Sequence, residues 1–108
     1  MEKTMTNIHR GEIAAEIGGE TRVLCLTLGA LAELEARLRA GDLAGLAERF
    51  GEGRVSARDL TAILGAGLRG GGNDVSDDDL ARMSVEGGLR GAAEIAVRLL
   101  RATFGDEQ

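Results

Sequence analysis

The sequence contains no proline, tryptophan or tyrosine, and its only aromatic residues are Phe50 and Phe104. Because large rings bury the most surface per residue, a core without them has to be built from leucine, alanine, isoleucine and valine. Glycine is abundant instead, with 17 positions. Each glycine inside a helix or strand costs about 0.5–1 kcal/mol relative to alanine. The composition therefore predicts a small aliphatic core of marginal stability.

Disulfides, clustered basic charge and long apolar runs are also missing. The single cysteine, Cys25, cannot form an internal disulfide, so nothing indicates an oxidising compartment. The net charge is −5 and the 13 basic residues are scattered among the acids, which disfavours a nucleic-acid surface. No apolar run approaches the ~18 residues that a membrane span needs. We therefore expect a cytoplasmic protein that binds neither nucleic acid nor membrane.

The length of the chain sets the number of domains. A chain of 108 residues can bury one modest core but not two. We predict a single domain over residues 1–108, with frayed ends at residues 1–8 and 105–108. Its predicted fold class is α+β, with an N-terminal two-stranded β-hairpin followed by about five short helices around one small core.

An alternating apolar pattern predicts the hairpin, over about residues 11–26. The alternating positions are Ile13, Ala15 and Ile17 before a glycine pair, and Val23 and Cys25 after it. A three-residue loop at 18–20 is favoured because it sets Glu16 opposite Arg22. A two-residue loop would instead pair Ile17 with Glu20. In this register Cys25 is expected to be a small core side chain.

After the hairpin the apolar period changes from two to three or four, which is typical of amphipathic helices. A first helix is expected between a cap at Thr27 and a stop at Gly41, and a second follows a cap at Asp42. The longest predicted helix covers residues 89–104 and is expected to be the most buried of the five. The apolar positions of these segments are Leu28, Leu31, Leu34 and Leu38; Leu43, Leu46, Ala47 and Phe50; Leu60, Ile63, Leu64 and Leu68; and Leu89, Ala93, Ala96, Leu100 and Phe104.

Two similar hexamers, VSARDL at 55–60 and VSDDDL at 75–80, are interpreted as helix starts. In each, a serine precedes an aspartate by three residues, which resembles a capping box. The flanking valine and leucine of each copy have the spacing of a hydrophobic staple. The helix that begins at the hexamer 55–60 is expected to end at the glycines 70–72. The helix that begins at the hexamer 75–80 is expected to end near Gly87 and Gly88. The acidic run at 77–79 is then explained by the positive end of a helix and not by a metal.

Three further patterns are weak as functional motifs. GAGLRG at 65–70 matches a dinucleotide-binding pattern, but it closes a helix where that motif requires a strand-to-helix turn. The segment 48–59 has the outline of a calcium loop, but Phe50 occupies a ligand position and the last residue is aspartate. Cys25 and His9 have no evident third group to orient them. We predict no catalytic residues, no cofactor and no metal, and hence no enzyme.

The chain resembles a small family of gene transfer agents and related tailed phages. The segments that carry the resemblance are HRGE at 9–12, LTLGALAELEARL at 26–38, LAERF at 46–50, SARDL at 56–60, LGAGLRGGG at 64–72 and ATFG at 102–105. The resemblance implies a gene among tail genes, near the major tail protein and the tape-measure protein. It also implies one of two roles, a tail assembly chaperone or a structural component of the tail tube.

Of these two roles, the strand count favours the chaperone that binds the tape-measure protein, because a tube subunit needs more strands than the two predicted here. The tail tube component, which remains in the phage-like particle, is the alternative. The partner is expected to be the tape-measure protein, the major tail protein or both. The predicted contact surface is the edge of the hairpin, at Ile13, Ala15 and Ile17, where the backbone of Glu12–Ile17 is expected to be free to pair with an incoming strand. The groove beside Leu31 and Leu34 is the competing choice.

Overall fold

Seven elements of secondary structure follow one another in the computed structural model, which describes residues 11–38, 44–54 and 56–105. Within these ranges an antiparallel hairpin precedes five helices, so the predicted α+β architecture is confirmed. The elements are β1 Glu12–Ile17, β2 Glu20–Cys25, α1 Leu28–Leu38, α2 Ala44–Gly51, α3 Ala57–Gly70, α4 Asp77–Ala81 and α5 Gly88–Phe104. The predicted stop at Gly41 and cap at Asp42 lie outside the described residues.

The turn of the hairpin has two residues and not the predicted three. Gly18 and Gly19 both have positive φ angles, +67° and +82°, which suit the tight turns that match the twist of paired strands. Ile17 therefore pairs with Glu20 and Ile13 with Leu24, so the predicted loop and register are wrong. The pairing of the apolar Ile17 with the charged Glu20 is tolerated because Glu20 is exposed at the end of its strand.

This register decides which β2 side chains enter the core. Leu24 and Leu26 are buried, whereas Val23 and Cys25 are only partly buried. Because successive strand residues point to opposite faces, a shift of one residue exchanges one set for the other. The prediction that Cys25 is a core side chain is therefore wrong, and Leu24 fills that place.

Helix α1 begins with the predicted cap at Thr27. The Thr27 hydroxyl accepts a hydrogen bond from the Ala30 N–H at 3.1 Å, and its carbonyl accepts one from the Leu31 N–H at 2.8 Å. The predicted stripe is only partly correct, because Leu34 is fully buried but Leu28 is 85% exposed. Ala30, which the stripe did not include, is buried instead.

Both repeated hexamers begin helices, as predicted. The Ser56 hydroxyl accepts a hydrogen bond from the Asp59 N–H at 3.3 Å at the start of α3. At the start of α4, Ser76 and Asp79 form the complete reciprocal capping box, with distances of 3.0 and 3.1 Å. Val75 is buried beside this cap, whereas Val55 lies outside the described residues.

Helix α4 is shorter than predicted, because it ends at Ala81 and not near Gly87. The chain beyond it is diverted to the hairpin. Val85 forms an isolated bridge with Ile17, and the Ser84 carbonyl accepts a hydrogen bond from the Gly18 N–H at 2.8 Å. These contacts use backbone groups of residues 84–85. In a continuing helix the same groups would form hydrogen bonds within the helix.

The most buried helix is α3, and the prediction that it is the last helix, α5, is wrong. Eight of the 14 residues of α3 are buried, compared with six of the 17 residues of α5. Helix α3 packs against α1, β2, α4 and α5, whereas the ends of α5 are open, with Leu89 58% and Phe104 44% exposed. The buried residues of these helices include Leu34, Leu60, Ile63, Leu64, Ile95 and Leu100, and Leu31 is partly buried against them.

The C-terminal end of α3 lies directly on the backbone of β2. A Cβ atom added to Gly70 would lie 2.0 Å from the Cys25 carbonyl oxygen, and one added to Gly71 would lie 2.0 Å from that of Val23. No side chain fits into these two contacts. The glycine run that ends the helix, as the sequence predicted, therefore also allows the helix and the strand to approach each other.

Replacing Gly70 by alanine should therefore destabilise the protein by about 1–3 kcal/mol, because the obstructing atom belongs to the backbone and cannot rotate away. Gly51 is the matched control, since it is also the last residue of a helix and a Cβ there meets nothing within 4 Å. Gly51→Ala should be neutral or stabilising by up to about 1 kcal/mol. Chemical denaturation of both variants measures the difference, and equal stabilities would contradict the close contact.

Replacing Leu64 by alanine should cost about 2–5 kcal/mol, because its side chain is buried on α3 and its removal leaves a cavity. Leu28→Ala is the control, because the same atoms are removed from a side chain that is 85% exposed. That variant should lose no more than about 0.5 kcal/mol. A loss of similar size in both variants, measured by urea unfolding, would show that Leu64 is not part of the core.

Candidate partner-binding surface

The outer edge of β1 is already bonded to other parts of the chain. Arg98 on α5 donates a hydrogen bond to the Ala14 carbonyl oxygen at 3.0 Å, and Ile17 is bridged to Val85. The expectation that the backbone of Glu12–Ile17 is free to pair with an incoming strand is therefore wrong at Ala14 and Ile17. A partner strand would have to displace these contacts.

The outer edge of β2 is covered by the end of α3 and the loop that follows it. The Asn73 side-chain amide donates to the Val23 carbonyl oxygen at 2.8 Å and to the Leu68 carbonyl oxygen at 3.0 Å. Gly70 and Gly71 lie against the same strand. Since strand addition requires unpaired backbone groups, this edge is also a poor template for another strand.

The five residues predicted to contact a partner lie mainly in the interior. Ile13, Ala15, Ile17 and Leu34 are buried, and Leu31 is partly buried against the core. The structure does not bring the hairpin residues and the helix residues together as an exposed patch, because β1 packs against β2 and α5 whereas α1 packs against α3. Their role in partner binding stays a prediction.

An open groove lies between the end of α2 and the outer face of α5, and we call it the α2–α5 groove. Its volume is about 960 Å³, and its apolar lining consists of Phe50, Leu89, Ala93 and Val97. Leu89, Ala93 and Val97 are four residues apart along α5, so they form one stripe along the helix, in which Leu89 is exposed, Val97 is partly buried and Ala93 is buried. A second, smaller groove of about 530 Å³ lies between α5 and β1.

The charged lining of the α2–α5 groove is predominantly basic. Arg90, Arg98 and Arg101 line it together with Glu52 and Glu94. Glu52 is paired with Arg54 at 2.9 Å, and Arg98 bonds to the β1 backbone. Within the described parts of the chain, the guanidinium groups of Arg90 and Arg101 have no hydrogen bond or ion pair. Glu94 is likewise without a partner in these parts of the chain, so the groove offers two unpaired guanidinium groups and one unpaired carboxylate on a protein whose net charge is −5.

A cluster of four charged side chains joins α1, α3 and the start of α4. Asp77 accepts hydrogen bonds from Arg37 at 2.6 Å and from Arg69 at 3.0 Å. Arg69 also donates to Glu33 at 2.8 Å and to the Val75 carbonyl oxygen at 3.1 Å. Every charge in the cluster has an opposite partner, so its role is structural. Sequence analysis explained Asp77 only as a helix-terminal charge and did not find this cluster.

The electrostatics of the cluster favour the ionised carboxylate. Burial alone would raise the pKa of Asp77, but the hydrogen bonds and charges of Arg37 and Arg69 outweigh it and hold that pKa below its ordinary value. The carboxylate can lie this close to α3 because residue 65 is glycine. A Cβ there would lie 2.2 Å from the Asp77 Oδ1 atom.

The candidate reactive residues have little support from the structure. Burial, together with the charge of Glu12, raises the pKa of the Cys25 thiol and so reduces its nucleophilic thiolate form. His9 lies outside the described residues. Over the described ranges, His, Cys, Asp and Glu side chains form no group of three that could hold a metal ion. No helix in those ranges is long and apolar enough to cross a membrane.

Comparison with known proteins identifies the family. The family model described as "phage tail tube protein, GTA-gp10" matches residues 10–106. The chain belongs to this tail tube protein family. The resemblance to gene transfer agent and phage tail proteins is thereby confirmed, and the GTA-gp10 family member described here is a tail protein of a phage-like particle. No curated protein and no solved structure matches the chain significantly.

The charge cluster of this GTA-gp10 family member predicts a pH-dependent contribution to stability. Since the pKa of Asp77 is lower in the folded protein, its contribution is present above the unfolded pKa, about 4, and is lost as the pH falls through the folded value. Asp77→Asn should therefore cost about 1 kcal/mol at pH 7. The difference from the unsubstituted protein should shrink steadily below about pH 4.

Asp78→Asn is the matched control, because Asp78 is the next residue in the same helical turn and is exposed. It removes the same charge from the helix terminus without touching the two arginines, and should change the stability by no more than about 0.5 kcal/mol. Urea unfolding between pH 3 and 7 provides the measurement. Equal losses in both variants at pH 7 would mean that the ion pairs contribute nothing beyond the helix-terminal charge.

Proposed function

We infer that the protein is a non-enzymatic tail assembly chaperone that binds a helical tail partner, with the tape-measure protein as the leading candidate. The observation that carries this proposal is the occupation of both hairpin edges. Arg98 and Val85 cover β1, and Asn73 and the α3 terminus cover β2. A permanent tube subunit that joins rings through strand pairing would need free edges.

The open surface of the protein suits a helix better than a strand. The α2–α5 groove has an apolar stripe along α5, and the first residue of that stripe, Leu89, is exposed. Amphipathic helices bind such grooves through apolar residues at helical spacing. A tape-measure protein, which is long and helical, has apolar stripes that need temporary cover before the tube closes around it. The groove could provide that cover.

A structural role in the tail tube is the second candidate, and the family description "phage tail tube protein" favours it. In that case the chain would remain in the mature particle. It would have to contact its neighbours through helices and loops, because the edges of its hairpin are occupied in the isolated chain. The two candidates therefore differ in how many copies persist in the particle.

Co-expression and particle composition together distinguish the two roles. For a chaperone, co-expression of the full chain should raise the soluble yield of the tape-measure protein severalfold, while an unrelated helical protein of similar size should show no gain. Quantitative mass spectrometry of purified particles should then find this chain far below the copy number of the major tail protein. Stoichiometric copies in every particle, with no gain in yield, would instead establish the tube component.

A further inference from the structure

The α2–α5 groove combines an apolar stripe with unpaired basic charge, and this combination restricts what can bind there. Leu89 and Val97 lie eight positions apart on α5, about 12 Å along the helix axis. Ala93 between them is buried, so the apolar surface open to a partner consists of the exposed Leu89 and the partly buried Val97. The stripe ends beside Arg101, and Arg90 lies next to Leu89 at its other end.

We propose that the α2–α5 groove binds an amphipathic helix of a tail protein whose apolar stripe is flanked by acidic residues. The partner's apolar side chains pack on Leu89 and Val97, and its carboxylates pair with Arg90 and Arg101. This inference rests on the proposed function for the identity of the partner, but the chemistry of the helix follows from the groove itself. A basic helix would meet two guanidinium groups that form no ion pair among the described residues.

The neighbouring groove between α5 and β1 lacks this combination. Glu16, Glu86 and Glu94 line it together with Arg90 and Arg98, so its acidic residues outnumber its basic ones. Its volume is also smaller, about 530 Å³ compared with about 960 Å³. The more basic lining and the larger volume of the α2–α5 groove therefore both favour it as the site for an acidic helix. Arg90 lines both grooves, so it marks the boundary of the site.

The test uses the full-length chain and synthetic 25-residue peptides that cover the tape-measure sequence, with binding measured by fluorescence anisotropy. The expected binders are acidic and amphipathic. Arg90→Glu/Arg101→Glu should weaken their binding about tenfold or more at low salt. The matched control Arg58→Glu/Arg82→Glu makes the same charge change at exposed arginines outside the groove and should have little effect.

A second pair of variants tests the apolar stripe. Leu89→Glu should also weaken binding about tenfold, because it places a carboxylate where an apolar side chain packs and where the partner is acidic. Leu28→Glu is the control on an exposed leucine of α1. Circular dichroism and urea unfolding confirm that each variant is folded. Peptides in which lysine replaces the acidic residues should bind the Arg90→Glu/Arg101→Glu variant better than the unsubstituted chain.

The outcomes separate this inference from the proposed function. Peptides that bind the groove variants and the controls equally well would overturn the groove assignment and leave the chaperone proposal standing. Absence of binding to every peptide and to the intact tape-measure protein would overturn both. Self-association of the chain that the groove variants abolish, seen by analytical ultracentrifugation, would assign the groove to a second copy and overturn the acidic partner helix.

Discussion

The contact between the backbone of α3 and the backbone of β2 is the constraint on which the remaining structure depends. Gly70 and Gly71 bring the end of the helix so close to Val23 and Cys25 that neither position has room for a Cβ atom. Gly67, one turn earlier in α3, leaves space for the side chain of Leu99 on α5. A Cβ atom added to Gly67 would lie 2.6 Å from the Leu99 side chain. A chain with almost no aromatic residues thus achieves a dense core by close approach of its backbones, and not by filling space with large side chains.

Close packing around α3 determines which surfaces remain for a partner. Both edges of the hairpin are used within the protein, and the ion pairs of Arg37 and Arg69 with Asp77 hold α1 and α4 against α3. Helix α5 differs, because one face is buried against α3 while the outer face lines two grooves. Among the described residues, Leu89, Arg90 and Arg101 on this outer face are exposed, and the two arginines have no internal ion pair that a partner would have to break.

Family membership and geometry contribute different parts of the functional assignment. The match over residues 10–106 makes the chain a phage tail protein, but a family description does not say which contacts the protein makes. In our proposal the groove supplies that information in chemical terms, since its arginines and its apolar stripe each select a property of the partner.

The sequence alone determined the local structure of this protein, because the relevant signals act over a few residues. Caps at Thr27, Ser56 and Ser76, the glycine run after α3 and the alternation of β1 predicted where elements begin and end. Only the tertiary structure decided what depends on distant residues. The hairpin register was set by which β2 face meets α3, Leu28 was left exposed because Ala30 packs inward, and Asp77 joined arginines 40 and 8 residues away. The groove belongs to this second class, since α2 and α5 are far apart in sequence and no short pattern records that they meet.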